Sequence, residues 1–170
     1  MPKMFEFPNR ESRDRNWEKG EGKELLHALE KSGDYVFHGS PTPDIEELEV
    51  RQPQDFTRGM KENHGEPCVA ASPYTDIAIF RSLVRSDTTR FGEDGGRLHF
   101  EATQKALDAA KDRVGYVYVL SRADFAPFDE GSETSMDWRS RIAQKPVRIV
   151  PVVYDDLPKG VCLIDTKKSV

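Results

Sequence analysis

The sequence predicts an α+β domain. Three observations carry this. Strand-like runs of four to eight residues recur along the chain. Two segments, around Leu25 and Ile77, have helical spacing of apolar residues. The late strands follow one another without long helices between them, which argues against parallel βαβ winding and for mixed, mostly antiparallel sheets with flanking helices. The 170 residues suit one domain large enough to bury a core. We divide the chain into a polar N-terminal arm or strap, residues 1–20, and a single domain, residues 21–170.

Taken in order, the arm is rich in charge but holds Phe5, Phe7 and Trp17, which suit docking. Gly22 to Lys31 reads as a helix with Leu25, Leu26 and Leu29 on one face and Gly33 as its C-terminal cap. Tyr35 to Phe37 reads as a buried strand that delivers His38 at its end. Gly39 there allows a sharp turn or a close ligand approach, and Pro41 and Pro43 stop the strand. Asp44 to Glu47 suits a turn of helix, and Arg51 to Glu66 reads as a long surface loop at the rim of a site. Pro67 to Ser72 is a strand of small residues. Ser72 as N-cap and Pro73 at the first helical position then open a helix reaching Val84. Arg85 to Gly96 reads as a loop and Arg97 to Glu101 as a strand. Thr103 to Asp112 reads as a short helix, and Gly115 to Leu120 as a strand with its two tyrosines on one face. Ala123 to Thr134 reads as an acidic loop and Val147 to Tyr154 as the last long strand, where Pro151 marks an edge or bulge.

Composition narrows the function classes. A net charge of −5 argues against a global electrostatic grip on nucleic acid. No apolar run approaches the ~20 residues of a spanning helix. The start lacks a basic segment followed by an apolar one, so a cytoplasmic, non-membrane protein is expected. Cys68 and Cys162 lie in apolar runs and read as small buried thiols. They lack the paired spacing of a zinc site, and His27, His64 and His99 form no ligand cluster, so no metal is expected. Phosphate-loop, dinucleotide-fold and nucleophile-elbow motifs are absent.

The residues carrying chemistry are His38-Gly39-Ser40, the small strand Val69-Ala70-Ala71-Ser72 with its helix, and Asp137-Trp138-Arg139-Ser140. Taken singly, each has an ordinary structural reading: a strand-end histidine bonded to its own loop, a close-packed strand, a solvated turn aspartate. In this order they resemble the histidine-type branch of the ADP-ribosyltransferase fold, the branch of the poly-ADP-ribosyltransferases and the diphtheria-toxin-like enzymes. The resemblance runs from about Tyr35 to Leu157. It implies NAD as substrate and cleavage of the nicotinamide–ribose bond, with transfer of ADP-ribose to an unknown acceptor: a protein, a nucleic acid or a small molecule. It implies that His38 and Ser40 bond the ribose, that the Gly39 backbone meets the nicotinamide amide, and that an arginine, Arg51 or Arg81, holds the pyrophosphate. It further implies an aromatic on the nicotinamide ring and a carboxylate beside the anomeric carbon. Two positions depart from the pattern. Cys68 and Val69 stand where the stacking aromatic is expected, leaving Tyr74 as substitute or as a first-turn surface tyrosine. The carboxylate is Asp137 instead of a glutamate, with Glu133 as the alternative. Two other readings follow: an inactive nucleotide-binding or protein-interaction module on this fold, and an NAD-dependent RNA 2′-phosphotransferase-like enzyme using Arg139, Arg141, Lys145 and Arg148. In the last case the basic residues serve as a phosphate pocket; otherwise they are a solvated strand face.

Overall fold

Strand β7 (Val114–Ser121) has two neighbours, β1 (Tyr35–Ser40) and β10 (Arg148–Val153), and runs antiparallel to both. Its alternation feeds two cores. Val117 and Val119 face helices α1 (Glu21–Ser32) and α2 (Thr75–Leu83), while Tyr118 and Leu120 face the opposite side. The computed structural model describes residues 20–57, 60–85, 89–94, 97–129, 132 and 134–164. The expected arm up to residue 19, Glu133 and the last six residues lie outside them.

The described residues form an α+β arrangement with three α-helices and mostly antiparallel sheets. A second sheet joins β4 (Val69–Ala71), β9 (Trp138–Ser140) and β8 (Ala126–Pro127). Its Val69, Ala71 and Trp138 close over Val36, Tyr118 and Leu120 to make the smaller core. A third sheet holds β5 (Arg90–Asp94), β6 (Arg97–Ala102) and β11 (Cys162–Leu163), the last pair being parallel. Helix α3 (Gln104–Ala110) follows β6, capped by the Thr103 hydroxyl accepting the Ala106 N–H. The larger core centres on α2. Ile77, Ala78, Ile79, Phe80 and Leu83 are all buried, and a fully buried side chain such as Phe80 contributes about 2–3 kcal/mol.

Helix α2 sits close to the central sheet because two glycines on adjacent strands admit it. A Cβ on Gly39 would lie 2.0 Å from the Ala78 carbonyl oxygen, and one on Gly115 2.2 Å from Ser82 Oγ. This revises the expectation for Gly39. Its side-chain face serves helix packing, its φ is not positive, and the strand runs on through His38, Gly39 and Ser40. β7 offers partners along the whole length, so His38 pairs with Tyr118 and Ser40 with Tyr116 before Pro41 intervenes.

Other expectations are corrected in the same way. The presumed loop from Arg51 to Glu66 contains the hairpin β2 (Gln54–Thr57) and β3 (Met60–Asn63). The presumed loop from Arg85 to Gly96 contains β5, whose Phe91 meets Phe80 edge-on at 6.5 Å. The N-cap of α2 is Tyr74, and Ser72 sits two residues earlier with its hydroxyl accepting the Tyr74 N–H. Cys68 is buried but Cys162 is exposed, because β11 is the outermost strand of its sheet.

β10 closes the other end of the central sheet. By alternation, Ile149, Pro151 and Val153 turn their backbone polar groups away from β7. Pro151 has no N–H, the Asp156 carboxylate accepts that of Val153 at 2.8 Å, and α1 lies against the Pro151 carbonyl at Gly22. No described helix is long and apolar enough to cross a membrane.

Candidate functional site

β1 and β4 touch and then part. Phe37 and Ser72 exchange two backbone bonds, 2.7 and 2.9 Å. Alternation turns the backbone of Ser72, Ala70 and Cys68 towards this same side. One step on, the Ala70 carbonyl accepts a 2.8 Å hydrogen bond from His38 Nδ1. Two steps on, Cys68 exchanges bonds of 3.0 and 2.9 Å with Arg51. The strands therefore form a fork, closed at Phe37 and Ser72, spanned by the His38 ring, with Arg51 entering between the prongs.

The same alternation decides where Gly39 points. Phe37 does not bond β7, so neither does Gly39, and the Gly39 N–H and C=O face into the fork. They have no backbone partner there among the described residues. A donor and an acceptor on one residue, aimed at one opening, match a primary carboxamide.

The chemistry of His38 follows from its partner. A carbonyl only accepts, so Nδ1 carries the proton and Nε2 holds a lone pair. Burial depresses the ring's basicity most, and the positive charges of Arg81 and Arg51 depress it further, against the opposing pull of the Ala70 carbonyl. The ring is thus neutral at pH 7 and a ready acceptor for a hydroxyl. The Tyr118 ring packs against its edge at 6.4 Å. Ser40 shares that face of the strand, and its hydroxyl accepts the Thr42 N–H at 3.2 Å while keeping its own proton to donate. The structure places His38, Gly39 and Ser40 together at the end of β1 with the Arg51 backbone beside Cys68, while Arg81 stands in the last turn of α2 with its guanidinium 5.7 Å from the centre of the Phe91 ring.

The carboxylate side is arranged differently. Trp138 turns inward with Val69 and Ala71, so Asp137 and Arg139 share the other face of the second sheet. Arg139 Nε donates to both Asp137 oxygens at 3.2 and 3.1 Å, and Nη2 to Oδ2 at 2.7 Å. Arg139 Nη1 donates to the His64 carbonyl at 2.6 Å, and its guanidinium lies 3.7 Å from the centre of the Phe128 ring. Arg139 is 11% exposed and Asp137 36%. Asp137 is therefore a neutralised, well-bonded carboxylate. Glu133 lies outside the described residues. Cys68 stands on the same face, its thiol pushed up in pKa by burial above all. Tyr74 is half-buried; its ring packs on the main core and its hydroxyl donates to the Thr134 carbonyl at 3.1 Å.

Sequence reasoning left unread the partners His64, Phe128 and Arg139. For Arg139 the signal was present, because residues two apart on a strand share a face. His64 and Phe128 meet it only through the fold. Among the described residues, no group of three or more His, Cys, Asp or Glu is placed to hold a metal ion. No protein-family model matches the chain, and no curated protein or solved structure matches it either.

Proposed function

We propose that the chain binds NAD in the fork between β1 and β4, cleaves the nicotinamide–ribose bond and passes ADP-ribose to an acceptor. The observation that carries this is the pair of Gly39 backbone groups facing into the fork beside a neutral His38. The Gly39 N–H and C=O suit the nicotinamide carboxamide. His38 Nε2 suits a ribose hydroxyl, and Ser40 can donate a second bond. Arg51 and Arg81, whose charges reach His38, suit the pyrophosphate. In this reading Asp137, or Glu133, supplies the negative charge that stabilises the oxocarbenium-like transition state.

A second reading, a binding module without turnover, is favoured by one observation. Asp137 already neutralises Arg139 at 2.7 Å, and a compensated carboxylate stabilises a neighbouring cation less. The RNA phosphotransferase reading draws less support. Arg139 is committed to Asp137, and Arg141 pairs with Glu66 at 3.0 Å.

The test is incubation of the purified protein with NAD, following nicotinamide release and the thermal midpoint together. Release and a raised midpoint, both lost in His38→Ala with unchanged circular dichroism, are the expected outcome. A raised midpoint without release selects the binding module. Neither effect in the unmodified protein would overturn both.

A further inference from the structure

We infer that Tyr74 is a positioning residue, acting through its hydroxyl to fix the segment that carries Asp137 relative to the fork. The inference rests on the proposed NAD reading and assigns this side chain a task other than stacking on nicotinamide.

Two sets of contacts make Tyr74 a strut. At its backbone, the Tyr74 N–H donates to Ser72 Oγ at 3.2 Å, and Ser72 is fastened to Phe37, the residue before His38, by two backbone bonds. This end is held by the closed end of the fork. At its tip, the phenol donates to the Thr134 carbonyl at 3.1 Å. From Thr134 the chain is braced to the carboxylate: buried Ser135 accepts the Asp137 N–H on its hydroxyl at 3.3 Å, and its carbonyl accepts the Trp138 indole N–H at 3.1 Å. The Asp137 carbonyl in turn accepts the Phe128 N–H at 2.8 Å, closing the β8–β9 hairpin. A continuous path of short contacts therefore runs from Phe37 through Ser72, Tyr74, Thr134 and Ser135 to Asp137.

The phenol is kept in its donor form. Burial raises its pKa most, and the negative charges of Glu93 and Glu30 raise it further. A protonated hydroxyl facing a main-chain carbonyl can only donate, so the tie is available in neutral solution. The ring packs on the main core, which fixes where the phenol oxygen sits. Since a displacement of about 1 Å in a reacting group can cost ~100-fold in rate, a single tie at this place has kinetic weight.

Tyr74→Phe separates the two roles, because it keeps the ring and removes the tie. With the full chain and NAD, the expected result is a kcat for nicotinamide release about tenfold lower, with KM for NAD within about twofold. In parallel, backbone hydrogen exchange at residues 134–137 should quicken, while residues 35–40 stay unchanged. Tyr74→Phe with full kcat, together with Tyr74→Ala that raises KM, would overturn the inference in favour of ring stacking. Should the unmodified protein release no nicotinamide, the NAD reading falls by itself. The exchange measurement then decides the tie alone: faster exchange at 134–137 in Tyr74→Phe supports it, and unchanged exchange there overturns it.

Discussion

The fork around His38 and the hairpin around Asp137 are both built on strand ends, and they treat polar groups in opposite ways. In the fork, Gly39 turns an amide donor and acceptor towards an opening, His38 keeps a lone pair on Nε2, and the nearest acting charges are positive. At the hairpin, every strong group meets its complement: carboxylate to guanidinium, guanidinium to a carbonyl and an aromatic face, serine to backbone. Unpaired backbone groups are costly unless something else bonds them. The fork thus leaves a donor and an acceptor open to water or to the proposed ligand, whereas the hairpin pairs its groups internally. Recognition and chemistry, if both reside in this chain, rest on unequal foundations.

The largest expected effect comes from closing the fork's foundation. Gly39→Ala places a methyl 2.0 Å from a helix carbonyl that cannot move without α2. We expect a loss of about 3 kcal/mol or more, read as a lower urea midpoint, with NAD-induced stabilisation abolished at the same time. A variant of near-normal stability would show that α2 can slide on the sheet.

Next comes opening the hairpin. Arg139→Gln removes the partner of Asp137 and the donor to His64. The pair is partly exposed, so the cost should be about 1–2 kcal/mol, measured by chemical denaturation. The same change uncovers the Asp137 charge, so nicotinamide release per bound NAD should rise. Unchanged release would place the chemistry on another carboxylate. Phe128→Ala is milder: it strips the aromatic face from Arg139 and should cost about 0.5–1 kcal/mol, leaving fork binding intact.

The smallest effect is on acid stability. His38 has a folded pKa below its ordinary value of 6.5, so as pH falls below 6.5 the unfolded chain takes up a proton that the folded ring refuses. Stability should therefore fall with pH from 6.5 down to the lowered folded value, by at most about 1.4 kcal/mol per pH unit. His38→Asn should flatten that slope in pH-dependent denaturation. An unaltered slope would mean that the ring titrates normally.

Much of the fork was legible because its signals are local. A run of β-formers meeting His38, Gly39 and Ser40 marks a strand whatever it pairs with, and Ser72-Pro73 announces the turn into α2. What escaped reading depends on neighbours far along the chain. The packing role of Gly39 escaped because the Ala78 carbonyl that excludes a side chain there lies 39 residues away in sequence. The strands β2, β3 and β5 escaped because they are short and polar, with the pairing supplied by a hairpin partner instead of an apolar face. The N-cap of α2 moved from Ser72 to Tyr74 because Ser72 is engaged in bridging to Phe37. At the hairpin, Asp137 drew attention for its chemistry, while the alternation that pairs it with Arg139 was equally open to view.

The far rim of the central sheet bears on how copies of this protein behave in company. An outermost strand ordinarily offers a row of donors and acceptors on which another molecule's strand can grow. On β10 that row is interrupted at Pro151, occupied at Val153 by Asp156 and overlaid by α1 at Gly22. Concentrated solutions should accordingly resist fibril-type association through this rim. The protection is concentrated in very few atoms, so losing the Asp156 carboxylate and the Pro151 ring together would leave α1 as the cover of this rim.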